Sequence, residues 1–269
     1  MMHPILNIAI YAVREAGKLI NKYYGMFSSI NHVKFNENLL NISNTSAYLI
    51  ANIIKKFYPN HIFLNIYQND EKKNIFSKTQ WIVDPLNGFR NFANNLPHFS
   101  ISIAVQINLK TEISVIYDPI RNELFTAIRG QGAQLNGYRI RIKKNENIKY
   151  AILSSSSDCM KNEYNSDYCS FINSLLLNYQ SFRCTGSVAL DLAYVAAGRF
   201  SLFFNVQSKI KKKFISGDLL VRESGGVVTD FFGGHDYLIS GNILAGHPNT
   251  IKKILSNIQD IFNLKNIKK

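Results

Sequence analysis

The sequence predicts an α/β fold, in which an α+β N-terminal half with an antiparallel sheet precedes an α/β half. Three observations support this class. Apolar residues recur at helical spacing through residues 4–23. Short apolar strands separated by tight turns fill residues 81–142. From residue 151 onward, apolar strands alternate with helical segments, a pattern typical of α/β domains.

The chain is large enough to bury a substantial core, with 269 residues of which 46% are apolar. We expect two halves, residues 1–145 and 146–269, that form one compact unit and meet in the polar segment 143–149. No apolar run approaches the roughly 20 residues of a membrane helix. The N-terminus lacks the basic region of a signal peptide. Three cysteines without metal spacing indicate reduced thiols and a cytoplasmic protein: Cys159, Cys169 and Cys184.

The formal net charge is +13, and lysine supplies most of it. Such a charge attracts RNA, DNA or an acidic protein surface. Drift of codons towards A and T explains it equally well, because Lys, Asn and Ile are all abundant. The densest clusters, at residues 209–213 and 265–269, either contact a polyanion or form solvated faces.

Two helices open the N-terminal half. The first covers residues 4–23 and ends before Gly25, and the second starts near the cap residues 44–46 and runs to Phe57. The remaining predicted strands of this half cover residues 62–66, 112–117, 123–128 and 138–142, the last following an Asn136-Gly137 turn.

The second half is predicted as alternating strands and helices. We expect strands at residues 151–154, 201–206, 227–231 and 243–245. We expect helices at residues 164–179, 187–198 and 216–225, and a final helix beginning at Pro248.

The chain is organised around residues 81–104. A short apolar strand ends at Asp84-Pro85, a polar turn containing Gly88 follows, and a second strand then alternates cleanly. One face of that second strand carries Phe99, Ile101, Ile103, Val105 and Ile107. A carboxylate at the end of a buried strand, next to a glycine turn, is where a metal ligand would lie.

This stretch resembles the signature of the inositol monophosphatase family, Asp-Pro-(Ile/Leu)-Asp-Gly-Thr-x-Asn-Phe. Further similar segments, at residues 122–127, 130–133, 183–187, 189–198 and 219–226, extend the resemblance over nearly the whole chain. The bacterial SuhB-type branch of the family is the most similar. The resemblance implies a layered αβαβα sandwich that forms a homodimer.

The resemblance also implies a chemistry, the Mg²⁺-dependent hydrolysis of phosphate monoesters by metals bound to carboxylates and a backbone carbonyl. Asp84 and the carbonyl of Leu86 match two of the metal ligands. The other positions depart from the family pattern: Tyr67 replaces a ligand Glu, Asn87 the second motif Asp, Phe89 the water-positioning Thr, and Lys213 the Asp of a Trp-Asp pair. Likewise, Asn38, Asn41 and Asn44 replace an Asp-x-x-Thr-x-x-Asp pattern.

One carboxylate cannot hold paired Mg²⁺ ions, which require several anionic oxygens. We therefore expect no catalytic residue and no cofactor, with Asp84 and Leu86 as vestiges of low metal occupancy and Mg²⁺ only if activity is retained. We hypothesise that Lys213 turns inward and pairs with Asp84. An alternative alignment, in which Asp218 supplies the missing acid, stays open.

Other candidates are weaker. Arg90, Lys213 and the amides near Gly88 would bind a phosphate without metal, or they are remnants in a solvated cleft, which we favour. Three histidines lack ligand spacing, namely His98, His235 and His247. The hydroxyls of residues 154–157 have no paired His and Asp that would make a nucleophile.

Two functions are consistent with these residues. SuhB-type proteins act as Nus factors in the antitermination complex that transcribes ribosomal RNA and aids its folding. The resemblance therefore implies a binding protein of ribosome biogenesis without phosphatase activity, whose partners are RNA polymerase, other Nus factors and ribosomal RNA. The alternative is a Mg²⁺-dependent inositol-1-phosphate phosphatase. A gene in decay is disfavoured, because the apolar pattern is intact along the chain.

Overall fold

A computed structural model describes residues 3–26, 32–67, 78–144, 151–155, 165–178, 181–206 and 208–261. The helices are α1 (Pro4–Tyr23), α2 (His32–Phe57), α3 (Phe89–Ala93), α4 (Asn165–Asn178), α5 (Val188–Ala196), α6 (Ile215–Glu223), α7 (Tyr237–Ser240) and α8 (Pro248–Ile261), with a 3₁₀ turn at Lys211–Phe214. The strands of the first half are β1 (Ile62–Asn65), β2 (Thr79–Asn87), β3 (Ser100–Ile107), β4 (Lys110–Asp118), β5 (Glu123–Ile128), β6 (Gly132–Leu135) and β7 (Tyr138–Ile140). The strands of the second half are β8 (Ile152–Ser155), β9 (Ser181–Cys184), β10 (Leu202–Asn205), β11 (Val227–Thr229) and β12 (Ile243–Gly246).

These elements form the predicted αβαβα sandwich, which confirms the fold class. Helices α1 and α2 cover one face of a sheet of order β1-β2-β3-β4-β5-β6-β7. Helices α5 and α6 lie between this sheet and a second one, of order β11-β12-β10-β8-β9. Helices α4 and α8 form the outer layer beyond the second sheet. Among the described strands of the first sheet, only β1 and β2 pair in parallel, so the predicted antiparallel character of this half is confirmed.

Helix α2 begins at His32, so the predicted start near residues 44–46 is wrong. Thr45 and Ser46 suit a helix cap, but both lie inside the helix. The Thr45 hydroxyl donates to the carbonyl of Asn41, one turn earlier, at 2.7 Å. The buried hydroxyl of Ser46 donates to the carbonyl of Pro85 at 3.1 Å, which ties α2 to the central motif.

Strand β2 continues to Asn87, past the predicted end at Asp84-Pro85. The ladder to β3 shifts register between Asp84 and Asn87, which accommodates a proline that lacks an N–H donor. Helix α3 then occupies part of the predicted polar turn. Gly88, with a φ of 87°, begins it. A Cβ at Gly88 would lie 2.9 Å from the carbonyl oxygen of His98, so this position requires glycine.

The second sheet contains β9, which was not predicted, and α7 was not predicted either. Both are four residues long, and the polar and apolar residues of β9 give no clear period. The remaining predicted strands and helices are present, with ends that differ by a few residues, and α8 starts at Pro248 as expected.

One hydrophobic cluster joins the two halves. It contains Ile116 and Phe125 from the first sheet and Leu219 and Phe203 from the second half, all buried. The boundary at residues 145/146 stays a prediction, because residues 145–150 lie outside the described part of the chain.

Candidate functional site around Asp84

Asp84 lies at the register shift of β2, three residues before Asn87, which lines a pocket formed by both halves. Its side chain is buried. A carboxylate removed from water is costly unless hydrogen bonds or a cation compensate it. The groups that surround Asp84 therefore decide what this site can bind.

Neighbouring protein groups donate to the Asp84 carboxylate. The side-chain amide of Asn87 donates to Oδ2 at 2.7 Å, and the backbone N–H of Leu86 donates to Oδ1 at 3.3 Å. The Tyr67 hydroxyl also donates to this carboxylate. Three protein donors thus hydrogen-bond to the carboxylate oxygens of Asp84 that a metal ion would need as ligands.

Lys213 supplies the positive charge. It lies in the 3₁₀ turn before α6, is 9% exposed, and holds its ammonium 5.7 Å from the centre of the Tyr67 ring. Burial raises the pKa of Asp84, and the Lys213 ammonium is the largest of the influences that oppose this rise. Lys213 therefore turns inward, as the hypothesis of an Asp84 pair requires.

The alternative alignment through Asp218 does not fit this geometry. Asp218 lies on α6 and forms an ion pair with Arg222, with Nε and Oδ1 2.7 Å apart. Burial raises the pKa of Asp218, and the charge of Arg222 opposes this most strongly. Asp218 is thus engaged by Arg222, whereas the buried Lys213 ammonium lowers the pKa of Asp84 against the effect of burial.

Asn87 joins Asp84 to the second half of the chain. While its amide nitrogen donates to Asp84, its Oδ1 accepts from the Ser187 hydroxyl at 2.8 Å and from the Ala189 N–H at 3.0 Å. An aspartate at position 87 would accept these last two bonds but would repel Asp84. The amide therefore suits a cleft without metal.

Mg²⁺ does not fit the residues present. The three positions that the resemblance predicts as metal ligands carry Tyr67, Asn87 and Lys213, and all three bring a proton or a positive charge towards Asp84. Hard divalent cations require anionic oxygens instead. Within the described ranges, no group of three or more His, Cys, Asp or Glu side chains could hold a metal ion. The Leu86 side chain is fully buried, and metal binding by its carbonyl stays a prediction.

The family's upstream acidic pattern falls on α2. Asn41 and Asn44 are exposed on this helix, while the side chain of Asn38 lies outside the described part. Asn44 lines an apolar pocket of about 420 Å³ beside the cleft. Phe89, at the position of the water-orienting Thr, is 38% exposed and lines the same pocket.

A second pocket, of about 180 Å³, is also lined by Phe89. Asn87, Gly88, Arg90, Thr185 and Lys213 are among its lining residues. The exposed guanidinium of Arg90 lies 5.7 Å from the centre of the Phe89 ring. Arg90 and Lys213 thus line one small pocket, in which Arg90 is exposed and Lys213 is buried with its charge acting on Asp84.

Sequence reasoning missed a buried carboxylate, Asp191 on α5. Its Oδ1 accepts from the Thr185 hydroxyl at 2.5 Å and lies 3.6 Å from Nε2 of His98. Burial raises the pKa of Asp191 to about 6, against the opposing influence of His98 and Thr185. The signal was present, since Asp191 is the single charged residue within the apolar run at residues 188–197.

The remaining candidates stay apart from the cleft centre. His235 and His247 do not line either pocket, and Ser154 donates to the carbonyl of Leu202 at 3.4 Å, as a structural residue does. Cys169 and Cys184 are both exposed. Residues 156, 157, 159 and 265–269 lie outside the described part of the chain.

The lysine cluster at residues 209–213 is only partly a surface cluster. Lys209 and Lys212 are exposed, Lys211 donates to the carbonyl of Ile239, and Lys213 is buried.

Among the described residues, no helix combines the length and apolarity needed to cross a bilayer.

A family model described as "Inositol monophosphatase family" matches residues 1–262. The chain belongs to the inositol monophosphatase family. Relatives within it include "Nus factor SuhB" of Escherichia coli strain K12, 44% identical over 261 residues that cover 96% of this chain and 97% of the relative. "Nus factor SuhB" of Buchnera aphidicola (subsp. Baizongia pistaciae) is 42% identical over 270 residues, covering 98% and 100%.

Solved structures of this inositol monophosphatase family share the fold. The extragenic suppressor protein suhB from Bartonella henselae superimposes with a TM-score of 0.85 at 29% identity, over 96% of this chain and 99% of the other. An IMPase from Thermotoga maritima superimposes with a TM-score of 0.81 at 26% identity, over 97% and 99%. The chain therefore shares the fold of these solved structures.

Proposed function

We propose that this protein is a SuhB-like Nus factor that works by binding and not by phosphatase catalysis. It takes part in the antitermination complex in which RNA polymerase transcribes ribosomal RNA, and it aids RNA folding and ribosome biogenesis in the cytoplasm. Its partners are RNA polymerase, other Nus factors and ribosomal RNA, and it acts as a homodimer.

The observation that carries this proposal is the state of Asp84. Its carboxylate already receives hydrogen bonds from Tyr67, Asn87 and the Leu86 N–H, and it lies within the field of the Lys213 ammonium. A metal ion would have to displace these donors and approach a buried cation, which is electrostatically unfavourable. Loss of the metal removes the nucleophile and the leaving-group stabilisation that the family's hydrolysis needs.

The full-length similarity to proteins named Nus factor SuhB supports the binding role. Identities of 41–44% extend over 96% or more of this chain. A decayed catalytic cleft inside an otherwise intact fold is expected when selection acts on binding surfaces. The charge of +13 suits an assembly that contains RNA.

The test is retention of purified RNA polymerase and other Nus factors on the immobilised protein, with and without a ribosomal RNA leader transcript. We expect retention that increases with the transcript. Absence of enrichment of every one of these partners would overturn the proposal. Sedimentation of the purified protein tests the homodimer, since a monomer at all concentrations contradicts it.

The family-level alternative, a Mg²⁺-dependent phosphatase, is tested by release of phosphate from inositol 1-phosphate. We expect turnover at the background rate with or without Mg²⁺. Mg²⁺-dependent turnover that disappears in Asp84→Ala would establish the alternative, whereas turnover that persists in this variant would come from a contaminating enzyme.

A further inference from the structure

Two pockets of different chemistry meet at Phe89. The smaller pocket, of about 180 Å³, contains Arg90 and Lys213. The larger pocket, of about 420 Å³, has a mainly apolar wall formed by Leu39, Leu40, Tyr67, Leu86, Phe89 and Ile210. Phe89 lines both pockets, so a ligand placed across it would meet a cationic site on one side and an apolar site on the other.

We propose that this pair of pockets binds a nucleotide unit of single-stranded RNA, with the base against Phe89 in the apolar pocket and a phosphate beside Arg90. The inference rests on the proposed function for the identity of its ligand as RNA. Its chemistry rests on the pockets themselves.

The aromatic walls suit a nucleobase. Phe89 and Tyr67 are each 38% exposed, although their rings line a pocket. A cation lies over each ring at 5.7 Å from its centre, Arg90 over Phe89 and Lys213 over Tyr67. Aromatic side chains flanked by cations are the usual platform for stacking bases of single strands, because every base offers an apolar face and a nearby phosphate.

The charges around the pockets suit a phosphate. Neither set of described lining residues contains an Asp or Glu, so no carboxylate at the walls repels an anion. Lys209 is exposed beside the lining residue Ile210, and Lys212 is exposed beside Lys213. The negative charge of Asp84 is buried and faces the positive charge of Lys213. The positive charge that a ligand can reach therefore comes from Arg90 and the exposed Lys209 and Lys212.

A stacked base also explains the position of Phe89. A half-exposed phenyl group at the family's Thr position stabilises neither a metal site nor the core. Stacking of a base would bury the exposed part of the ring. A duplex keeps its bases paired and stacked internally, so the site discriminates in favour of single strands.

The experiment measures the anisotropy of a 5′-fluorescein-labelled single-stranded RNA of about 12 nucleotides, titrated with the full chain. We expect Phe89→Ala to weaken binding about tenfold or more, and Phe89→Tyr to restore most of it. Tyr138→Ala is the matched control, since Tyr138 is an 81% exposed aromatic residue on β7, outside both pockets. We expect Arg90→Ala to weaken binding severalfold and to lower the salt slope by about one.

Competition separates base recognition from phosphate recognition. AMP should displace the labelled RNA at lower concentration than ribose 5-phosphate does, and Phe89→Ala should remove this difference. Circular dichroism of each variant verifies folding, and a Phe89→Tyr variant that folds and binds like the original excludes a purely structural effect. Equal RNA affinity of the original protein, Phe89→Ala and Tyr138→Ala would overturn the inference.

Capture of RNA polymerase by the same variants distinguishes this inference from the proposed function. We expect Phe89→Ala to retain the polymerase while it loses RNA affinity. Loss of polymerase without loss of RNA affinity would make the cleft a protein-docking site and overturn the inference alone. Failure of the original protein to retain polymerase or other Nus factors, with RNA binding intact, would overturn the proposed function alone.

Discussion

The side-chain amide nitrogen of Asn87 lies 2.7 Å from Oδ2 of Asp84, at two positions where the family resemblance predicts a pair of carboxylate metal ligands. With Asn at position 87, a neutral amide donates a hydrogen bond to the Asp84 carboxylate. With Asp at this position, two carboxylates would repel each other. Protein groups therefore compensate the Asp84 carboxylate without a metal ion, and substitutions of these groups should change the stability of the protein.

Asn87→Asp should destabilise the fold. The new carboxylate would face Asp84 across 2.7 Å and lose the donated hydrogen bond, while still accepting from Ser187 and Ala189. We expect a loss of about 2–4 kcal/mol in the free energy of unfolding at neutral pH, measured by urea titration. Asn44→Asp, at an exposed position on α2, is the control and should change stability by less than about 0.5 kcal/mol. A variant as stable as the original would show that the contact is unimportant.

Lys213→Met should leave the Asp84 carboxylate without its cation. Breaking a buried pair in this way typically costs about 3–5 kcal/mol, and we expect a loss near the lower end because Tyr67 and Asn87 still donate. The pKa of Asp84 should rise further, so the deficit should grow as the pH rises and Asp84 ionises, and shrink at acidic pH.

A double-mutant cycle tests this coupling. Asp84→Asn combined with Lys213→Met should recover part of the loss, because no buried charge is then left uncompensated. Lys212→Met is the matched control, since Lys212 is the exposed neighbour in the same turn. Strictly additive effects of the Asp84 and Lys213 changes would contradict the pairing.

Restoring the family's acids should restore a metal response. In a Tyr67→Glu, Asn87→Asp, Lys213→Asp variant, three new carboxylates join Asp84, and their mutual repulsion favours a bound cation. We expect Mg²⁺ to raise the melting temperature of this variant by several degrees, since binding at a hundred times Kd contributes about 2.7 kcal/mol. The original protein should show no such rise. Adding Asp84→Asn to the variant should abolish the response, and a response that survives would arise from a different site.

Asp191 should make stability depend on pH. Its pKa of about 6 in the folded chain exceeds its value of about 4 in an unfolded chain, so the folded state binds more protons between these values. The contribution of Asp191 to the free energy of unfolding is therefore fully present below about pH 4. It is lost as the pH rises through 6, by about 3 kcal/mol in total. Asp191→Asn should remove this part of the slope, measured as the difference in unfolding free energy between pH 4 and pH 7. An identical slope in the two proteins would contradict the raised pKa.

Sequence reasoning succeeded where a local pattern carried the information. Helix α1 follows from its apolar period, the hairpin after β6 from Asn136-Gly137, and the start of α8 from Pro248. It failed for the start of α2, because Thr45 and Ser46 are residues that suit a helix cap. In the structure Thr45 instead donates to the Asn41 carbonyl within the helix, and Ser46 donates to the Pro85 carbonyl on β2. Helix α3 and strand β9 were missed because they are four or five residues long and depend on packing.

The sequence by itself determined the α/β class, through the spacing of its apolar residues, and the inositol monophosphatase family, through motifs that resemble the family's. That resemblance in turn implied the αβαβα sandwich and predicted that positions 67, 87 and 213 lack the family's acids. Only the tertiary structure decided that Lys213 turns inward, that Tyr67 and Asn87 donate to Asp84, and that Asp191 lies beside His98. The physical reason is that hydrogen bonds and Coulomb interactions depend on distances between groups far apart in sequence, and burial decides how strongly each one acts.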